Sequence, residues 1–249
     1  MNGAAPLGRM VLAQAGMELR LTARRGENLF VTLVLPVALL LFFAAVPVVS
    51  TGTQSPVDFL LPGTIGLAII ATGFVNLGIS TAYERSYGVL KRLGGSPLPR
   101  GGLLAAKVLA VGAVEVVQVT ILVAVAVIAL GWRPGPGIVP AVVAAAIVLG
   151  TFTFASLGLL LAGALRAEAT LALANALFVG FLLFGGVILP VDRLPDSLAA
   201  IARLLPAAAL TDALRIGFGA SGDAAVPLLV VAAWGVAAAL LTARTFRWE

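Results

Sequence analysis

Few side chains in this sequence could do chemistry, and the missing types are as informative as those present. Histidine and cysteine are absent from the 249 residues. That excludes His-based triads and proton relays, thiolate nucleophiles, disulfide frameworks and Cys/His zinc sites. The five aspartates, Asp58, Asp192, Asp196, Asp212 and Asp223, are scattered, whereas metal-dependent group transfer needs clustered carboxylates. The only lysines, Lys91 and Lys107, are followed by Arg92 and Val108, so no G-x-x-x-x-G-K-[ST] loop is present to hold nucleotide phosphates. What remains is Glu115 with Gln118 one helical turn on, Asn76 and Asn175 in apolar surroundings, and one dense run of charge from Tyr83 to Leu98.

The elements that must position these residues belong in a bilayer. Hydrophobic residues make up 61% of the chain and charged residues 11%, against about 25% charged in soluble domains. A hydrocarbon core about 30 Å thick requires roughly 20 apolar residues as helix. Six segments meet or approach that, near Phe30 to Val49, Phe59 to Ala82, Leu103 to Leu130, Ile138 to Ala164, Ala169 to Leu189 and Val226 to Ala243. With no internal repeat and no linker, the expectation is one all-α integral membrane domain over residues 1–249.

The net charge of +5 lies in short clusters between apolar runs, which sets topology and does not make a nucleic-acid surface. With the N-terminus inside, twelve cations fall on the cytoplasmic side: Arg9, Arg20, Arg24, Arg25, Arg85, Lys91, Arg92, Arg100, Lys107, Arg166, Arg244 and Arg247. Only Arg133, Arg193, Arg203 and Arg215 fall outside, together with all five aspartates. The positive-inside rule therefore predicts both termini in the cytoplasm. The first apolar run is too long, and starts too late, for the core of a cleaved signal peptide, so it is expected to remain as a span. Residues 7 to 25 have helical character, with Val11, Leu12, Ala15 and Leu19 on one arc; they form either an interfacial helix on the inner leaflet or a plain cytoplasmic leader.

Glu84 to Leu93 can form about two and a half helical turns, which Gly94-Gly95 would end and Pro97 would prevent from resuming. By composition this is either a short charged helix below the membrane or a connecting loop whose cations enforce topology. On the other side, Leu198, Ile201, Ala202 and Leu205 make one apolar stripe between Pro195 and Pro206. A second helical piece is expected over about 207 to 218. Such helices either dip into the outer leaflet or lie on its surface.

Within the spans, Glu115 costs roughly 3 kcal/mol at the bilayer centre, less than the gain from the Val, Ile and Leu residues around it. It should avoid lipid, and a buried intramembrane acid is a functional candidate. Gln118, Asn76 and Asn175 are candidates for a substrate pathway or, equally, for interhelical hydrogen bonds. Phe178 and Phe181 either line a path or pack.

The order Glu84-Arg85, Gly88-x-Leu90-x-Arg92-Leu93, Ser96-Pro97-Leu98, then Lys107 at the start of the next span, resembles the coupling-helix region of ABC-2 type transporter permeases. Gly185-Gly186-Val187-Ile188-Leu189-Pro190, Leu194-Pro195, Leu205-Pro206 and Thr211-Asp212-Ala213-Leu214-Arg215 are similar to that family's last extracytoplasmic segment. The resemblance covers essentially the whole chain and is strongest to the drug-exporter branch. Val89, Lys91 and Leu205 stand where the family often has threonine, an acid and asparagine.

The resemblance implies a coupling role for Glu84, Arg85, Gly88, Leu90, Lys91, Arg92, Leu93 and Pro97, and re-entrant helices before the last span. It implies a separate ABC ATPase carrying ATP and magnesium, no cofactor or metal on this chain, and a second permease chain, identical or related. The expected function is ATP-driven export of a hydrophobic or amphipathic small molecule, or a lipid-like one, across a bacterial cytoplasmic membrane. An ATP-independent secondary carrier using Glu115 and an intramembrane lipid-modifying enzyme are the alternatives.

Overall fold

The computed structural model describes residues 5–24, 26–46, 56–187 and 190–246, and every α, π or 3-10 element among them is helical. In chain order these are α1 (Leu7–Arg24), α2 (Gly26–Ala45), α3 (Pro56–Ile69), a π-helical stretch (Ile70–Asn76), α4 (Leu77–Ser86), α5 (Val89–Leu93), α6 (Arg100–Ile128), α7 (Pro140–Ala164) and α8 (Ala167–Phe184). A 3-10 turn (Val191–Arg193), α9 (Asp196–Leu204), α10 (Pro206–Gly217) and α11 (Ala225–Thr245) complete them. Arg25, Arg247, residues 47–49 at the end of the first expected span, and Ile188 and Leu189 lie outside the described residues.

Among the described residues, five helices are long and apolar enough to cross a membrane: Pro56–Ser86, Arg100–Ile128, Pro140–Ala164, Ala167–Phe184 and Ala225–Thr245. They coincide with the second to sixth expected spans. The first expected span falls on α2, whose apolar part, Thr32–Ala45, is shorter than the others. The helices α9 and α10 meet at an angle of 85°. The bend sits where Pro206 opens α10, since proline supplies no N–H and suits only a helix's first turn. This is the broken pair expected from residues 195 to 218.

α7 is the helix around which the bundle is built. α3, the π-helical stretch, α4, α10 and α11 all pack on it. The approach is backbone to backbone: a Cβ on Gly158 would lie 2.7 Å from the Phe74 carbonyl oxygen and 2.8 Å from that of Gly73, and one on Gly78 would lie 3.0 Å from the Gly158 oxygen. Small residues give intramembrane helices this proximity, where lipid provides no hydrophobic drive for association. α11 is tied to α7 by hydroxyls, Thr153 donating to the Val231 carbonyl at 2.8 Å and Thr242 within 3.2 Å of the Ser156 carbonyl. Phe181 meets Phe74 and Phe154 edge to face in the core, with centroids 5.6 and 5.7 Å away.

Two polar ends close the bundle. At one, the Trp132 indole donates to Asp58 at 2.7 Å. There too the Arg215 guanidinium lies 3.8 Å from the Phe59 ring centre and donates to the Gly186 carbonyl. Thr211 lies 2.5 Å from the Gly185 carbonyl, so α10 is fastened to the turn that follows α8. The opposite end carries Glu84, Arg85 and α5.

α1 is a helix, as its sequence pattern suggests, and Val11, Ala15 and Leu19 of the expected arc are buried or half-buried while Leu12 is not. Ala15 is buried and Leu12 exposed, although both were expected on one apolar arc, while Leu7, Met17 and Leu21 are also exposed. The reason is that α1 rests along α6, which covers Ala15, half-covers Val11 and Leu19, and leaves Leu12 on the outer side.

Candidate functional site

The charged run from Tyr83 to Leu98 does not form one helix. Glu84 and Arg85 belong to the last turn of α4, and only Val89–Leu93 form α5. This corrects the expected helix from Glu84 to Leu93. Gly88 adopts φ +70°, the left-handed conformation that a side chain disfavours. Its N–H bonds to the Arg85 carbonyl at 2.9 Å, and the chain reverses into α5. Gly94 ends α5, its N–H bonding to Leu90 at 2.9 Å.

The eight expected coupling residues divide into two groups. Glu84 and Arg85 are half-buried, Leu90 is buried, and Leu93 is half-buried. Lys91, Arg92 and Pro97 are exposed, around the left-handed turn at Gly88. The inward group anchors the tip. Arg85 donates to the carbonyls of Gly163, at 2.7 Å, and Leu165. These belong to the C-terminal end of α7, where unpaired carbonyls gather negative partial charge.

Glu84 is bound on its other side. The Lys107 ammonium, in α6, lies 2.7 Å from Glu84 and 3.1 Å from Glu18 in α1. The Lys107 side chain is 1% exposed and the two carboxylates 16% and 14%. Three helices therefore meet at one ammonium, and the tip between α4 and α6 is held to α1, α6 and α7 together. Sequence reasoning did not select Glu18, and it took Lys107 only as part of the motif that carries the family resemblance. A lone lysine about two turns into an apolar helix, which must find an acid when buried, was the available signal.

A cavity of about 610 Å³ begins at this cluster. α1 contributes Glu18, Leu21 and Thr22, the helix from π stretch to α4 contributes Thr72 to Glu84, α6 contributes Lys107 to Val114, and α8 contributes Leu171 and Asn175. Asn76 and Asn175 both line it. Asn76 donates to the Thr32 hydroxyl at 2.9 Å; Gln118 donates to the Thr32 carbonyl at 2.9 Å and accepts from Thr72 at 3.0 Å. Asn76, Thr32, Gln118 and Thr72 thus form one connected polar chain beside the cavity, built on the π-helical stretch. π-Helical turns widen the helix and recur at functional sites.

The remaining candidates lie elsewhere. Glu115 is buried between α6 and α7 against the Thr151 hydroxyl, and one of its oxygens has no hydrogen-bond partner among the described residues. It does not line the cavity, and neither do Phe178 and Phe181, which pack against the core. The structure places Asn76 and Asn175 on the cavity and links Gln118 to Asn76 through Thr32, while Glu115 and the two phenylalanines lie off the cavity.

The family model described as ABC-2 type transporter matches residues 12–218. Among curated proteins nothing matches the chain.

Proposed function

This chain belongs to the ABC-2 type transporter family, and from that premise we propose that it is the permease subunit of an ATP-driven exporter. The family makes it a transport subunit of a multi-pass membrane protein and implies an ABC ATPase as partner. The observation that carries the proposal is the anchoring of the Gly88 tip. A load applied to Lys91, Arg92 and Pro97 reaches α4 through the chain, α7 through Arg85, and α6 and α1 through the Glu84–Lys107–Glu18 ions. A surface tip linked to four transmembrane or membrane-proximal helices is suited to convert ATPase closure into a rigid-body rearrangement of the bundle.

In this proposal the Glu84 end faces the cytoplasm, as the cation distribution favours, and the α9–α10 pair lies at the outer side as a re-entrant closure. The membrane is the bacterial cytoplasmic membrane. ATP and magnesium are held by the partner ATPase, and this chain binds no cofactor or metal. The cavity is the substrate path for a hydrophobic or amphipathic small molecule or a lipid-like one. Asn76 and Asn175 are exposed in the single chain. Amides at membrane depth need water or protein partners, which supports a second permease chain, identical or related, on that face.

The test is co-expression and reconstitution with a partner ABC ATPase. Retention of an ATP-binding subunit on the tagged chain, and ATP-dependent export that Arg92→Glu abolishes, support the exporter. Export that continues without ATP on a proton gradient, and stops in Glu115→Gln, would instead establish the secondary carrier.

A further inference from the structure

The cavity is not electrically neutral. Its described lining includes two carboxylates, Glu18 and Glu84, and one ammonium, Lys107. Lys107 is shared between them, and the second oxygen of Glu18 accepts from the Gln14 amide at 2.9 Å. The second oxygen of Glu84 has no protein donor among the described residues. The neighbouring Arg85 is not part of the described lining; its guanidinium donates to the carbonyls of Gly163 and Leu165.

Two aromatic rings stand at the same end. Tyr83 and Tyr87 line the cavity with ring centres 6.0 Å apart and planes tilted by 30°, and Tyr87 is 72% exposed. A carboxylate oxygen lacking a donor beside aromatic faces is a recognition site for organic cations. Beyond it the lining mixes apolar side chains, Leu21, Val75, Ile79, Val111, Val114 and Leu171, with the amides of Asn76 and Asn175, and the volume suits one drug-sized molecule.

We infer that this cavity selects amphipathic organic ammonium compounds, the cationic group lodging between Glu84 and the Tyr83–Tyr87 pair and the apolar body lying along α6 and α8. The inference rests on the cavity being the transport path, but its test needs neither ATP nor the partner. Two sources share the chemistry: a free amphipathic amine and a lipid with an ammonium headgroup.

The experiment measures binding of a fluorescent dodecylammonium probe, and of the matched uncharged dodecyl alcohol, to the purified chain in maltoside micelles. The ammonium is expected to bind about tenfold more tightly, the scale of a desolvated cation–π contact with a charge-assisted hydrogen bond. Glu84→Gln should bring the two probes within about twofold, and Tyr87→Leu, which leaves the ion cluster untouched, should reduce the preference about threefold. Equal binding of both probes by the native chain overturns the inference, as does a preference that survives Tyr87→Leu when Glu84→Gln does not fold. Displacement by phosphatidylethanolamine but not by phosphatidylglycerol supports the lipid source; no displacement by either supports a free amine. Ammonium selectivity without ATP-coupled export would overturn the exporter and leave the site standing, and ATP-coupled export without selectivity would do the reverse.

Discussion

The ammonium of Lys107 in α6 lies 2.7 Å from the carboxylate of Glu84 at the end of α4, with only 1% of the lysine side chain exposed. Because Glu18 is also within 3.1 Å, one cation fastens the first helix and two long apolar helices. Ion pairs out of water are weak evidence of net stability, but removing one partner strands the others.

Lys107→Met is therefore expected to destabilise the folded chain by about 3 to 5 kcal/mol. The triple variant Lys107→Met, Glu84→Gln, Glu18→Gln should recover most of that loss, since no charge is left uncompensated. Unfolding in mixed micelles checks both. A single variant as stable as the native chain would show that the cluster is hydrated and carries no load.

Gly88→Ala tests the tip. A Cβ there would meet no atom within 4 Å, so any effect comes from the backbone at φ +70°, a cost of about 1 to 2 kcal/mol. The expected outcome is a chain of normal yield whose transport is uncoupled from ATP hydrolysis by its partner. Coupled transport at the native rate would mean that the break between α4 and α5 has no mechanical role.

Gly158→Ala should fail at an earlier stage. Its Cβ would have to sit 2.7 Å from one backbone carbonyl and 2.8 Å from another, and backbone cannot yield as a flexible side chain does. Membrane insertion without a stable bundle is expected, measured as loss of the monodisperse fraction after extraction. Gly16→Ala, with nothing within 4 Å, is the matched control and should be silent.

Arg215→Ala removes a cation 3.8 Å from the Phe59 ring centre and a donor to Gly186. Loosening of the α9–α10 pair by about 1 to 2 kcal/mol is expected. Arg215→Lys should restore only part, because an ammonium lacks the planar fork that reaches both partners. Proteolysis rates between α8 and α11 read the difference.

The chain contains no cysteine, so topology can be labelled without background. Ser96→Cys should react only from the cytoplasmic side and Ser221→Cys only from the other. Both serines are exposed. Labelling of both from one side would reverse or break the proposed arrangement.

Helix positions were legible because the bilayer requirement is local: a helix satisfies its own backbone, and an apolar run long enough to cross is visible without knowing its neighbours. Pro195 and Pro206 likewise marked the bent pair before any contact was known. The helix expected over Glu84 to Leu93 failed for an equally local reason that propensity hides. Gly88 could continue a helix or break it, and the burial of Leu90 and the anchoring of Arg85 on α7 accompany the break.

What the sequence determined by itself was the class of molecule: apolar runs without His or Cys, a cation asymmetry, and the ordered motifs from Glu84 to Pro97. What only the tertiary structure decided was which polar residues meet. Glu18 and Lys107 are 89 positions apart, Lys107 and Glu84 are 23 apart, and Thr32 and Gln118 are 86 apart. No periodicity encodes such pairs. They follow from close glycine crossings on α7 and the seating of α1 along α6, which bring distant polar groups into a low-dielectric interior where each must find a partner.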